Sequence, residues 1–440
     1  MLDFQLSPEQ LELREKARTF AREHVLPVAW YYDEKDEIPV KVLEKAMDAG
    51  FINADIPVEY GGQGFGLVEA AVVTEEMAAA CPGLATSIFD SSLGMEPLLL
   101  SDNEALKKRI FAEVLSEGKR FAFATSEPTM GSDVAGIRCQ AVEMEDHWEL
   151  SGTKYWVTNG GVCHYMSVFA TVDAKSRHAG ICAFLVDMRC QGITVGEHIP
   201  KMGQRCSNTV GVHLDKVKVP KTHVMAGPGE GFTLAMKTFA RTRPIIGAFA
   251  VGAARSAMEY ALDYAKKRRA FGAPIHTFQA IQFKLAEMFQ KVETSRLLTW
   301  KAAWRADQGK DPTIAASISK FYSTEAAWEV VDEAMQIMGG YGYTKLYPIE
   351  KLMRDVRLLR IYEGTSEVQR IIVSGWLLSG YEPVLPPLDE IHVHRRQDPE
   401  ESDEPSWRCR ICGHVHYGEE GPESCPVCHF PKTAFTRGAE

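Results

Sequence analysis

The hydrophobic and polar positions of this chain change their pattern twice. Over residues 1–120 the apolar positions recur near the helical repeat of about 3.6 residues. Ser7-Pro8-Glu9-Gln10 opens that stretch as a capping box with proline at the first helical position, and Leu11, Ala17 and Phe20 follow near the same period. Further helices are predicted over Val40–Ala49, Val68–Ala80 and Glu104–Glu117, with the glycine-rich text Pro57–Gly64 as a loop. Over residues 121–231 short β-rich runs take over: His147–Thr158, Tyr165–Asp173, Gly180–Asp187, Gly192–Ile199 and Asn208–Val219. Glycine, aspartate and asparagine separate them, which predicts a compact domain of antiparallel strands. Over residues 232–380 the helical period returns; Ile281, Leu285, Met288 and Val292 step by four, three and four along one face. Long patterns over Phe232–Lys267, Phe278–Asp307, Thr313–Met338 and Ser366–Leu378, with few breakers, predict a helical bundle. Residues 381–405 carry Pro383, Pro386, Pro387, Pro399 and Pro405 and the acidic run 398–404, text that buries little and predicts an extended linker. Residues 406–440 then form a small module. The fold class expected is α+β and multidomain.

Composition changes this picture little. The chain has 440 residues, 45% hydrophobic and 25% charged, as an ordinary globular protein does. A net charge of −10 argues against nucleic acid as a partner. Residues 1–16 hold acids and no apolar core of a secretory signal, and no apolar run of about 18 residues predicts a membrane span, so a cytoplasmic location is expected.

The chain contains 10 cysteines. Cys81, Cys139, Cys163, Cys182, Cys190 and Cys206 have no paired spacing and are expected as buried free thiols in a reducing compartment. Cys409, Cys412, Cys425 and Cys428 are different: C-x2-C, an intervening stretch 413–424, then C-x2-C. Each pair can turn two sulfurs toward one point, and two such knuckles make a tetrahedral four-thiolate site. A structural zinc and a single iron both use this ligand set.

Three stretches carry further chemistry: Ile361-Tyr362-Glu363-Gly364-Thr365-Ser366 before the last long helix, Phe123–Pro128 with Gly131-Ser132-Asp133, and Lys154–Gly160. Taken alone, Glu363 is an acid favoured by a helix dipole, Trp156 a core residue and Arg268 a solvated cation. Together with Arg268–Gly272, Gln336–Gly342 and Pro348–Asp355, these stretches resemble the acyl-CoA dehydrogenase family in order over residues 1–380. The resemblance implies N-terminal helices, a middle antiparallel β barrel and a C-terminal four-helix bundle. It also implies an FAD enzyme that oxidises an acyl-CoA to the trans-2-enoyl-CoA, by loss of an α-proton to a base and of a β-hydride to flavin.

On this resemblance Glu363 is the base, flanked by Tyr362 and Gly364 at the substrate, and the Glu363 backbone N–H polarises the thioester carbonyl. Some relatives carry the base as a glutamate before an arginine on the helix after the β domain. The matching pair here is Thr242-Arg243, and threonine cannot serve, which points to the short- and medium-chain or short branched-chain type. Phe123, Thr125 and Ser126 match one wall of the isoalloxazine ring; Trp156 and Thr158 match the other. Arg268 and Phe271 match positions at the FAD pyrophosphate, while Gln279, Gln336 and Gly340 match positions that reach a neighbouring subunit's FAD in a homotetramer. Thr365 and Glu367 match dinucleotide contacts, with Glu367 in place of a frequent glutamine. Ser132 and Arg243 match CoA contacts, and Ala240 stands where an acid is common.

The terminal module resembles the rubredoxin-like domain of rubrerythrins through Trp407–Gly413, Cys425–Cys428, Pro431 and Phe435. It departs at His429, where the second knuckle usually has glycine, and at His414, where tyrosine is common. Beside a redox enzyme the resemblance implies iron, with zinc as the alternative. The expected function is therefore a dehydrogenase whose electrons pass to the fused iron centre, to electron-transferring flavoprotein or to another redox protein. Three other readings stay open: an enoyl-CoA reductase, a dehydrogenase whose zinc ribbon only docks a partner, and a non-catalytic scaffold that binds CoA thioesters.

Overall fold

The computed structural model describes residues 5–385 and 405–437. The chain forms two units, Met1–Trp376 and Leu377–Glu440. Most of the linker expected over 381–405 lies outside the described residues.

The first unit begins with six helices: α1 (Pro8–Phe20), α2 (Ala29–Lys35), α3 (Val40–Asp48), α4 (Leu67–Ala80), α5 (Pro82–Leu100) and α6 (Glu104–Glu117). The capping box forms as its sequence predicts: Gln10 N donates to Ser7 Oγ at 3.2 Å and Ser7 N donates to Gln10 Oε1 at 3.0 Å. Helix α5 went unmarked in the hydrophobic pattern. It is buried nearly all round, its polar residues Thr86, Ser87, Asp90 and Glu96 as well as Leu84, Ile88, Met95 and Leu98, so no exposed polar face sets a period. It lies against the first strand on one side and against α4 and the long helix of the C-terminal part on the other.

Eight strands follow: β1 (Phe121–Ala124), β2 (Gln140–Glu143), β3 (His147–Thr158), β4 (Tyr165–Thr171), β5 (Ile181–Asp187), β6 (Ile193–Val195), β7 (Thr209–Pro220) and β8 (Val224–Ala226). They form one sheet in the order β6-β7-β3-β2-β4-β5-β8, with β1 beside β4. Most pairs are antiparallel, as expected, but β1 and β2 run parallel to β4. The β3–β7 register shifts between Lys154 and Val157, which bends β3 next to Trp156.

The helical part comprises α7 (Glu230–Lys267), a hairpin of β9 (Arg269–Ala270) and β10 (Ala273–Pro274), then α8 (Gln279–Asp307), α9 (Thr313–Met338), α10 (Gly340–Tyr343), α11 (Ile349–Leu359) and α12 (Ser366–Ser379). Helices α7, α8 and α9 pack on one another, and α7 and α8 pack on α4 as well. Helix α7 is long and apolar enough to cross a membrane by composition, but 67% of its apolar window is buried in this packing, as befits a core helix. The motif Pro348–Asp355 is structural in its geometry. On α11 Lys351 Nζ meets Asp355 Oδ2 at 2.6 Å and Cys81 Sγ at 3.2 Å, all buried, and Gln204 N donates to Asp355 Oδ1.

In the second unit β11 (Ser406–Cys409) lies between β12 (Val415–Tyr417) and β13 (Phe435–Arg437), over a core of Cys409, Cys425, Ala434 and Phe435.

Candidate active site and metal centre

Four elements meet at Glu363. The turn between α11 and α12 carries it with a left-handed backbone, φ 56°, followed by Gly364 at φ 86°. Glutamate is strained in that region, whereas Gly364 is free to adopt it, and the surroundings hold Glu363 there. Arg243 Nε on α7 donates to the Glu363 carbonyl at 3.2 Å, and Lys320 Nζ on α9 donates to the Gly364 carbonyl at 2.8 Å. Gln369 Nε2 on α12 donates to both carbonyls, at 3.2 and 2.9 Å. A Cβ at position 364 would stand 2.6 Å from Gln369 Nε2, so glycine is needed twice over.

The Glu363 carboxyl accepts from Thr242 Oγ1 at 3.0 Å. Burial pushes its pKa up to about 7, against the opposing pull of Arg243, Thr242 and Lys320. Burial likewise lowers Lys320 to about 7. A carboxyl poised there can take up and release a proton at neutral pH. Thr242, which cannot itself be a base, thus lies in hydrogen-bond reach of the acid that can.

The flavin-matching residues near this point are brought together. Tyr155 N donates to Ser126 O at 2.9 Å, and buried Lys154 Nζ reaches Thr125 O at 3.0 Å, which ties the Phe123–Ser126 segment to the bend in β3. On that bend Trp156 adopts φ 62° and is 57% exposed, a large indole held out by strained backbone, with half-buried Thr158 two residues on. Phe239 links the two groups: its ring lies 5.4 Å from that of Phe123 and 5.6 Å from the Arg243 guanidinium. An exposed indole beside backbone and hydroxyl groups fits a planar heteroaromatic ring, so these residues fit the isoalloxazine of FAD.

The remaining matches fall elsewhere. Arg268 and Gly340 line one cavity of about 460 Å³ with Tyr264, Met338 and Tyr341. Phe271, at φ 50° in the β9–β10 hairpin, is 97% exposed, and Gln279 and Gln336 are also exposed. Thr365 Oγ1 accepts from Val368 N at 3.3 Å and so caps α12, while Glu367 points outward. Ser132 is exposed in the bend before Asp133, and Tyr362 is half-buried beside Glu363.

Sequence reasoning missed Lys320, Gln369 and Asp90. Lys320 is a lone cation among small residues of a buried helix, and Asp90 an acid in the text between Leu84 and Leu98; a buried ionisable group is expected to have a purpose.

In the second unit the four sulfurs lie within 4.8 Å of one another, with Cys409 Sγ to Cys428 Sγ 3.6 Å and Cys412 Sγ to Cys425 Sγ 3.5 Å. The knuckles are twins: Gly413 N donates to Cys409 O and His429 N to Cys425 O, with φ 76° at Gly413 and 59° at His429. Histidine thus adopts the left-handed conformation that glycine supplies in the first knuckle. The donor set suits a tetrahedral thiolate metal site.

The fold and this site define a flavin-dependent oxidoreductase. Residues 7–118, 122–217 and 229–378 match in turn the N-terminal, middle and C-terminal domains of acyl-CoA dehydrogenase, and residues 407–436 match the rubredoxin-like domain of rubrerythrin. The chain is 39% identical over 376 residues to the probable acyl-CoA dehydrogenase FadE25 of Mycobacterium tuberculosis, covering 85% of this chain and 97% of that protein. It is similar to butyryl-CoA dehydrogenase from Megasphaera elsdenii at 34% identity and TM-score 0.83, over 86% of this chain and 100% of the other. Its similarity to glutaryl-CoA dehydrogenase, solved with glutaryl-CoA, is 32% with TM-score 0.82, over 86% and 97%. The chain belongs to the acyl-CoA dehydrogenase family and carries a rubredoxin-like domain at its C-terminal end.

Proposed function

We propose that this protein dehydrogenates a short- or medium-chain or short branched acyl-CoA to the 2-enoyl-CoA, with Glu363 as the base. The observation that carries this is the Glu363 turn: a desolvated carboxyl beside the Thr242 hydroxyl, its backbone fixed by Arg243, Lys320 and Gln369. Glu363 takes the α-proton onto its carboxyl, and its backbone N–H is directed at the thioester oxygen where charge develops. Bound FAD supplies the two-electron acceptor for the β-hydride, held by Phe123, Thr125, Ser126, Trp156 and Thr158, with Thr365 and Glu367 nearer the dinucleotide. Ser132, Arg243, Tyr362 and Gly364 are assigned to the acyl-CoA.

Arg268, Phe271, Gln279, Gln336 and Gly340 are assigned to FAD shared across a homotetramer. Exposed Phe283, Phe289 and Ile371, 58%, 56% and 68% accessible in the single chain, support burial of α8 and α12 against other copies.

For the second unit we propose one iron in the four-cysteine site, serving as a one-electron carrier between the flavin and electron-transferring flavoprotein or another redox protein. Tethering on one chain raises its effective concentration. Two measurements test the whole reading. Glu363→Gln keeps flavin and thioester binding but abolishes bleaching of the flavin by acyl-CoA; full activity in that variant overturns the base. Rapid mixing of the intact protein with a substrate reduces the iron after the flavin; a colourless zinc site, or iron that stays oxidised through many turnovers, overturns the relay.

A further inference from the structure

Asp90 has no role in the chemistry above, and its position asks for one. It lies in the buried helix α5, is 8% exposed, and its Oδ2 has no hydrogen-bond partner among the described residues. Thr86 and Ser87, one turn earlier on the same helix, share its face. Thr86 Oγ1 meets Gln204 Oε1 at 2.9 Å, and the Ser87 carbonyl accepts from Asn159 Nδ2 at 3.1 Å. Asn159 is the residue after Thr158, so this face of α5 looks toward the end of β3. Asp90 is also near enough to Glu363 to feel its charge; burial first, and that charge second, hold its pKa well above the ordinary carboxylate range. A buried carboxyl oxygen without a partner is costly, and nothing in the packing of α5 repays it.

We propose that Asp90 is a specificity residue, and that the site takes an acyl-CoA whose acyl chain carries an O–H or N–H donor close to the reacting carbons, hydrogen-bonded to Asp90 Oδ2. This rests on the dehydrogenase reading above. A plain alkyl chain leaves the carboxyl unpaired, whereas a chain with a donor satisfies it. Leaving a buried acceptor unmatched discriminates by about tenfold to a hundredfold.

The test compares three thioesters of equal heavy-atom count: pentanoyl-CoA, 4-hydroxybutyryl-CoA and 4-aminobutyryl-CoA. Anaerobic flavin bleaching is followed in the holoenzyme, in Asp90→Asn and in Asp90→Ala. The expected result is a kcat/KM at least about tenfold higher for one or both polar thioesters than for pentanoyl-CoA in the wild type, falling to about equal in Asp90→Ala. Asp90→Asn separates the sources: its amide oxygen still accepts from the hydroxyl, but it cannot ionise as the carboxyl would beside a bound ammonium. A wild type that prefers pentanoyl-CoA, or a preference that survives Asp90→Ala, overturns the proposal while the dehydrogenase stands. If neither these thioesters nor medium-chain and short branched acyl-CoAs bleach the flavin, the dehydrogenase reading falls and this one falls with it. Flavin content of each variant reports folding.

Discussion

The proposed base offers a sharp test through the hydroxyl that faces it. Thr242→Val keeps the shape of a buried side chain and removes the donor 3.0 Å from Glu363 Oε2. That donor favours the ionised carboxylate, so its loss raises the pKa. A hydrogen bond to a charged group contributes about 1.5–3 kcal/mol; with Arg243 and Lys320 still present we take about 1.4 kcal/mol, or roughly one pKa unit. Glu363 then titrates near 8 instead of about 7. In the oxidative direction the base must be unprotonated, so the variant is slower on the acid side only. At pH 6 flavin bleaching by acyl-CoA falls about tenfold, and at pH 9 the two enzymes are nearly equal. The assay is the pH profile of anaerobic single-turnover bleaching, with the profile of the wild type beside it. A midpoint that does not move, or moves down, refutes the reasoning. So does an equal loss at every pH, which marks a geometric effect rather than an electrostatic one.

Three further outcomes follow from the same structure. Gly364→Ala places a Cβ 2.6 Å from Gln369 Nε2 at φ 86°, and should lower stability by about 2 kcal/mol and impair the Glu363 turn, read by thermal unfolding and by bleaching rate. Lys320→Met removes the cation that holds the Gly364 carbonyl and favours ionised Glu363; the alkaline shift of the bleaching profile should resemble that of Thr242→Val, but with a loss that persists at pH 9 because the turn loosens as well. His429→Gly relieves the left-handed histidine of the second knuckle and should stabilise the metal-loaded second unit by about 0.5–1 kcal/mol, read as slower metal release to a chelator.

How much of this was legible beforehand differs by element. Glu104–Glu117 was readable because it alternates a buried and an exposed face, and Thr313–Met338 because it runs long without a glycine or proline. The cysteine quartet was readable because its ligand spacing is local: two residues between partners suffice to aim two sulfurs. Helix α5 was not, because burial on all sides erases the period. The parallel placement of β1 and β2 beside β4 was not either, since strand neighbours are set by the whole sheet. Thr242 was noticed only as a residue that cannot be a base; that it donates to Glu363, 121 residues away, needed the tertiary structure.

By itself, then, the sequence determined the order of helical and β-rich parts, the four thiolates, and, through its resemblance, the family. Those are written in short-range spacing, and spacing survives without a fold. The tertiary structure decided the electrostatics. Glu363 sits near neutrality because burial outweighs the pull of Arg243, Thr242 and Lys320, and Asp90 Oδ2 on the buried helix α5 has no hydrogen-bond partner among the described residues. Desolvation depends on everything packed around a group, and no stretch of sequence around either acid encodes it.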